Sequence, residues 1–207
     1  NGTTLLFTDK AVFQASYVAG TYIYDTPLLS DNTGIIGPHA SASIGDVVFW
    51  MGSNEFWQYN GTVTSLPSDD IREYVFSDIN QDMSWKAHAG TYLNNKEVWF
   101  FYPSAGSNVC DKYVIYHTDS DCWSIGTLSR SSWIHDDLFV KPFATTEDGK
   151  LYVQETGKDD DGAPLPWMLE TSDTDIDSGS MNCDVFGLIP DFVRLVGDAY
   201  ITTNTIL

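Results

Sequence analysis

The hexapeptide Glu97–Tyr102, EVWFFY, restricts the fold more than any other stretch of the chain. In an extended strand successive side chains point to opposite faces. Val98, Phe100 and Tyr102 therefore share one face, and Trp99 and Phe101 share the other. Both faces are apolar. An antiparallel strand with one wet face alternates apolar with polar residues, so this strand needs cover on both sides. It runs on through PSAGSNVCD into a hairpin, KYVIYH, TDSD, CWSIG. The fold must join short, two-sided aromatic strands through acidic turns.

The same plan recurs. LLFTDKAVFQ (Leu5–Gln14), VVFWMGSNEFWQ (Val47–Gln58), VIYHTDSDCWS (Val114–Ser124) and FATTEDGKLYVQ (Phe143–Gln154) each read as an apolar strand, a tight polar turn and a second strand. The turns carry Asp, Asn, Gly and Ser, which tolerate the backbone angles of short hairpins. Three of the four end in an apolar pair followed by Gln, at Gln14, Gln58 and Gln154. The first two copies lie about one blade apart on the ~40–50-residue scale of propeller repeats. Later spacings are irregular, with loops such as PSAGSNVCD as insertions. The one helix candidate is Ser68–Asn80, where Ser68 stands as a cap and Ile71, Tyr74 and Val75 fall at helical spacing.

These patterns predict an all-β fold: a propeller-like array of antiparallel hairpins or blades over residues 1–157. A sandwich or another all-β arrangement is the alternative. The texture changes near residues 157–164, at GKDDDGAPLPW. Residues 158–207 read as an acidic linker followed by β-sandwich or platform strands, with a bend at Pro190–Phe192 and good alternation in DAYITTNTI. The chain begins without Met and ends within strand-like sequence, so a fragment of a longer protein is expected.

Charge narrows the partners. There are 29 Asp and Glu against 10 Lys and Arg, a formal charge of -19. Such a surface repels nucleic-acid phosphates and anionic membranes, which excludes DNA readout through a basic patch. It remains compatible with DNA that passes without sticking. No window approaches the ~18 consecutive apolar residues of a membrane helix, and no secretory signal is evident. The cysteines, Cys110, Cys122 and Cys183, are odd in number, against a disulfide framework. Reduced thiols are expected, with a Cys110–Cys122 bridge across one hairpin as the alternative.

Catalytic signatures are sparse. There is no nucleophile elbow, phosphate loop or dinucleotide fingerprint. His39, His88, His117 and His135 are scattered and form no zinc-binding spacing. Asp173, Asp175 and Asp177 alternate as calcium-loop ligands do. However, Gly179 falls one position late and no Glu closes the loop, so a solvated strand face is expected. DDDG at Asp159–Gly162 reads as a solvated turn. A glycosidase needs two carboxylates at a fixed separation, and no pair stands out. Trp50, Trp57, Trp99, Trp123 and Trp133 could form a sugar-stacking platform. Their places on strands favour packing, and Trp50, Trp57, Trp99 and Trp123 are assigned to packing between blades. No catalytic residue, metal ligand or cofactor is assigned.

One ordered series of blocks resembles a known family: LLFTDKAVFQ; GPHASASIGDVVFWMGSNEFWQYNG; LP and DIREYVFSDIN; EVWFFYPS; DKYVIYH and CWSIGTLSRSSWI; then PWMLETSDTDIDSG and IPDF. From about Leu5 to Asn204 the series is similar to tail nozzle proteins of short-tailed bacteriophages, the tail tubular protein B and packaged-DNA stabilisation type. The resemblance implies a non-enzymatic virion protein, assembled in the host cytoplasm. It implies a hexameric ring that meets the portal and adaptor above and a tip or needle below. Double-stranded DNA would pass through without sequence-specific binding, and the ring would help retain and then release the genome. The resemblance implies longer chains that start earlier, so some of the ring contacts are expected in parts that this sequence does not include. Under this reading Asp159, Asp160 and Asp161 are candidate channel-facing acids. The alternative is a carbohydrate-binding or depolymerising propeller that recognises a receptor, and a third reading is a cellular propeller scaffold.

Overall fold

The computed structural model describes residues 4–20, 23–157, 159, 162 and 163. The chain divides into two compact units, Asn1–Lys158 and Asp159–Leu207. The architecture below is that of the first. The sequence-based assignments to Pro190–Phe192, Asp173–Asp177, Asp160, Asp161 and Cys183 lie outside the described residues.

The first unit is all-β, built from four antiparallel sheets in chain order. The first sheet holds β1 (Thr4–Phe7), β2 (Ala11–Tyr17), β3 (Tyr24–Asp25) and β4 (Leu28–Asp31). Both short strands β3 and β4 pair with β2. Pro27 lies between them, where proline offers no N–H to a ladder, but its carbonyl accepts from the Gln14 N–H at 3.1 Å. The second sheet is a meander of β5 (Ser41–Ile44), β6 (Val47–Met51), β7 (Phe56–Tyr59) and β8 (Val63–Ser65). The third is a meander of β9 (His88–Tyr92), β10 (Glu97–Tyr102), β11 (Lys112–His117) and β12 (Cys122–Thr127). The fourth holds β13 (Ser132–Ile134), β14 (Phe143–Thr145) and β15 (Leu151–Val153).

All four recurring segments form hairpins, but not equivalent ones. VVFWMGSNEFWQ is the second and third strands of its sheet, whereas VIYHTDSDCWS is the third and fourth of its own. The partner of β6–β7 in the third sheet is β10–β11, whose long connection PSAGSNVCD hides the correspondence.

EVWFFY is β10, and every one of its residues is buried. Its two faces enter two different clusters. Val98, Phe100 and Tyr102 join Phe49, Met51, Phe56, Leu66, Val114 and Tyr116 between the second and third sheets. Trp99 and Phe101 join Tyr92, Ile115, Trp133 and Ala144 between the third and fourth sheets. Full burial of such side chains stabilises each by about 1.5–3 kcal/mol, so β10 anchors both layers.

The helix α1 (Asp69–Asp78) covers the first cluster with Val75, and Ile79 follows at its C-terminal end. Ser68 sits at the N-cap, but its hydroxyl donates to Glu55 Oε1 at 2.6 Å instead of capping. Arg72 pairs with the other Glu55 oxygen at 3.2 Å. Both bonds tie the helix to the residue that leads into β7.

The first strands of the second, third and fourth sheets lie side by side. β5 packs against β9, and β9 packs against β13. The chain just before β5 joins the start of β9 through the parallel bridge His39–His88, with the Ala89 N–H donating to the His39 carbonyl at 2.8 Å. Among the described residues no helix is long and apolar enough to cross a membrane.

Candidate functional site

A cleft of about 710 Å³ opens where β5, β9 and β13 converge. Its wall is assembled from distant parts of the chain. His39 and Ser41 come from the start of the second sheet, His88 and Ala89 from the third, and Ser132 and Trp133 from the fourth. Trp85 and Lys86 close one side from the 3₁₀ turn Gln81–Lys86, and Glu147 enters from the β14–β15 turn.

His88 is buried, and its ring stacks on Phe101 at 4.9 Å with planes 10° apart. Its Nδ1 lies 3.3 Å from the Lys86 carbonyl. A carbonyl only accepts, so Nδ1 carries the proton and Nε2 presents a lone pair. That Nε2 is buried with no hydrogen-bond partner among the described residues. Burial holds the imidazole below its ordinary pKa, outweighing the opposing Lys86 carbonyl, and nearby His39 pushes the same way. The neutral ring therefore keeps a buried acceptor at Nε2. The Cys110 thiol donates to the same Lys86 carbonyl at 3.3 Å, and burial pushes it up to about 12.

Lys86 Nζ donates to the Asn108 carbonyl at 2.6 Å and stands 5.7 Å from the Trp85 ring centre. An ammonium has three donors, so it can bind a further acceptor. Arg130 reaches Gln154 Oε1 at 3.2 Å and lies 5.1 Å over the Tyr152 ring. Trp85 itself is 59% exposed, uncommon for this residue. Besides the histidines, the charged side chains among the described lining residues are Lys86, Arg130 and Glu147.

The tryptophans assigned to packing have distinct surroundings. Trp50 is fully buried, donates from Nε1 to the Thr33 carbonyl at 2.9 Å and meets Phe7 edge-on at 5.2 Å, joining the first sheet to the second. Trp57 is half-buried opposite Trp50 on β7. Trp99 is buried between Trp133 and Tyr113, at 4.6 and 4.7 Å. Trp123 is half-buried over Phe56 at 4.7 Å and donates to the Pro67 carbonyl at 2.7 Å. Asp159 is exposed and accepts from the Gly162 N–H at 3.0 Å.

Cys110 and Cys122 are both free thiols, one buried and one exposed, so the alternative of a bridge between them is not realised. His117 lies on β11, 2.8 Å from Ser124 Oγ. His135 Nδ1 accepts from the Leu93 N–H at 3.0 Å. No group of three or more metal-ligating side chains occurs among the described residues. Neither Trp85 nor the His39–His88 pairing stands out in the sequence, because the cleft residues span positions 39 to 147 without a shared motif.

No protein-family model matches this chain, and no curated protein matches it.

Proposed function

We propose that this chain is a non-enzymatic structural protein of a bacteriophage tail: a propeller-like part of a homohexameric nozzle that continues the DNA channel below the portal and adaptor. The observation that carries the reading is the burial of β10 on both faces between two aromatic clusters. A blade covered by neighbours on both sides needs such a strand. The second, third and fourth sheets, with their first strands adjoining, make a rigid spacer, a role that needs no chemistry. The charge of -19 fits a wall that repels phosphates, where a basic wall would hold DNA by releasing counterions. The proposed setting is the virion, with assembly in the host cytoplasm.

The test is mass photometry of the protein alone and mixed with an adaptor ring. Six copies per assembly support the reading. A monomer under both conditions contradicts it.

A second reading, a carbohydrate-recognising propeller, is favoured by the cleft with its exposed Trp85. Depolymerisation is disfavoured, since Glu147 is the one carboxylate among the described lining residues and glycoside hydrolysis uses two.

A further inference from the structure

We infer that Ser124 is an activated serine that takes an acyl group from small esters, with His117 as its base and Glu97 as the carboxylate that positions the base. The inference goes beyond the conduit reading and does not depend on it.

Three adjacent strands of the third sheet bring these residues together. Glu97 opens β10, His117 closes β11, and Ser124 lies on the edge strand β12. Glu97 stands opposite His117, His117 stands opposite Cys122, and Ser124 follows Cys122 by two positions. Strand side chains alternate between faces, so Glu97, His117 and Ser124 share one face of the sheet. Ser124 Oγ lies 2.8 Å from His117 Nε2. On the other side of the ring, Nδ1 lies 3.7 Å from Glu97 Oε1. A carboxylate only accepts. It favours the proton on Nδ1 and leaves Nε2 to accept from the Ser124 hydroxyl. A nucleophile within hydrogen-bond reach of a base, itself oriented by a third group, is the arrangement that activates a serine. The Nδ1 contact is longer than a hydrogen bond, as such contacts often are before substrate binds.

Glu97 is fixed for this role. It is buried, its Oε2 accepts from Trp99 Nε1 at 3.0 Å, and its Oε1 accepts from Asn95 Nδ2 at 3.2 Å. A buried carboxylate is costly unless it is paired, and these donors hold it beside the imidazole. Ser124 is exposed, and the His117 side chain is 28% exposed, so a small ester reaches both. The edge strand also supplies donors. In an antiparallel ladder, hydrogen-bonded pairs alternate with non-bonded pairs. The Leu128 N–H donates to the Asp111 carbonyl at 3.0 Å, which makes Ile115–Ser124 a bonded pair and turns the Trp123 and Ile125 N–H groups outward. These flank Ser124 and are available to an acyl oxygen as negative charge develops on it. An exposed edge suits a short acyl chain such as acetyl.

The step balances without a further reactant. His117 Nε2 takes the hydroxyl proton as Ser124 Oγ attacks the ester carbonyl. A C–O bond forms to Oγ, the ester C–O bond breaks, and the proton passes from Nε2 to the departing oxygen. The products are an acyl-serine and an alcohol.

The experiment is incubation of the full chain with p-nitrophenyl acetate, following nitrophenolate release and locating the acetyl group by peptide mass spectrometry. The expected result is a stoichiometric burst with acetyl on Ser124. Ser124→Ala, at an exposed position, should abolish the burst. His117→Gln should slow it by about a hundredfold or more, the usual contribution of a general base. Cys122→Ala should leave it unchanged, which separates Ser124 from the neighbouring thiol. Glu97→Gln keeps the shape and removes the charge. It should slow the burst and shift the nitrogen NMR signals of the His117 ring from the Nδ1–H form to a mixture of tautomers, which a merely structural role would not do. A burst that survives Ser124→Ala or His117→Gln unchanged would overturn the inference. Acetyl on Cys122 or on lysines in place of Ser124 would overturn it, as would the absence of a burst. Continued release after the burst, lost in Ser124→Ala, would keep the activated serine and overturn the non-enzymatic reading instead.

Discussion

Trp99 and Trp133 stack with ring centres 4.6 Å apart and planes 20° from parallel, and this contact fastens the third sheet to the fourth. Trp133 also donates from Nε1 to the Thr91 carbonyl at 2.9 Å. The ring lies directly on Gly90, where an added Cβ would come 2.2 Å from Trp133 Cδ1. Gly90→Ala should therefore destabilise the fold by about 1–3 kcal/mol through overpacking. Trp133→Ala should cost about 3–5 kcal/mol. Urea unfolding of both variants checks this, and a neutral Gly90→Ala would mean that the two sheets pack differently.

The two faces of β10 should behave as independent layers. Phe100 and Phe101 are adjacent in sequence but belong to different clusters. Phe100→Leu and Phe101→Leu should each cost roughly 0.5–3 kcal/mol. In the double variant the losses should add to within about 0.5 kcal/mol, as for sites without shared partners. Strong coupling would indicate a single core rather than two.

Tyr102 is fully buried, and its hydroxyl has no hydrogen-bond partner among the described residues. Burial pushes its pKa above the ordinary value, with Tyr74, Asp78 and Asp111 adding to the effect. An unpaired buried hydroxyl is a cost that its removal relieves. Tyr102→Phe should thus be neutral or stabilising by up to about 1 kcal/mol. A clear loss of stability would show that the hydroxyl has a partner.

His88 gives the stability a pH dependence of defined sign. Its pKa in the fold lies below the ordinary 6.5, chiefly through burial. Below pH 6.5 the unfolded chain binds a proton that the folded chain refuses, so stability is full above this value. It falls as pH drops from there to the folded-state pKa, where the slope ends. His88→Gln should flatten that part of a urea-midpoint profile against pH. An unchanged slope would assign it to other groups.

The thiols should differ in reactivity. The thiolate is the reactive form. Cys110 is buried with its pKa pushed up to about 12, whereas Cys122 is exposed on β12. Iodoacetamide should label Cys122 in the native protein and Cys110 only after unfolding, as mass spectrometry of the peptides would show. Rapid native labelling of Cys110 would contradict its placement.

The all-β class was legible because its determinants are local. Hairpin turns rich in Asp, Asn, Gly and Ser, and strands such as EVWFFY, declare themselves within ten residues. The helix was legible from the spacing of Ile71 and Val75. The equivalence of strands between sheets was not, since PSAGSNVCD separates β10 from β11 and leaves VIYHTDSDCWS as the more visible hairpin. The cleft was hidden for a different reason. His39, Trp85, His88 and Glu147 meet only through the packing of first strands from three sheets. Nothing in their sequence spacing encodes that meeting, and Trp85 stands on a 3₁₀ turn, exposed, where the packing tryptophans lie on strands.

The proposed sixfold conduit is best checked by negative-stain electron microscopy of the protein mixed with an adaptor ring. Sixfold rings with an open central channel are expected. Isolated single particles that never form rings, at any protein concentration or with the adaptor present, would contradict it.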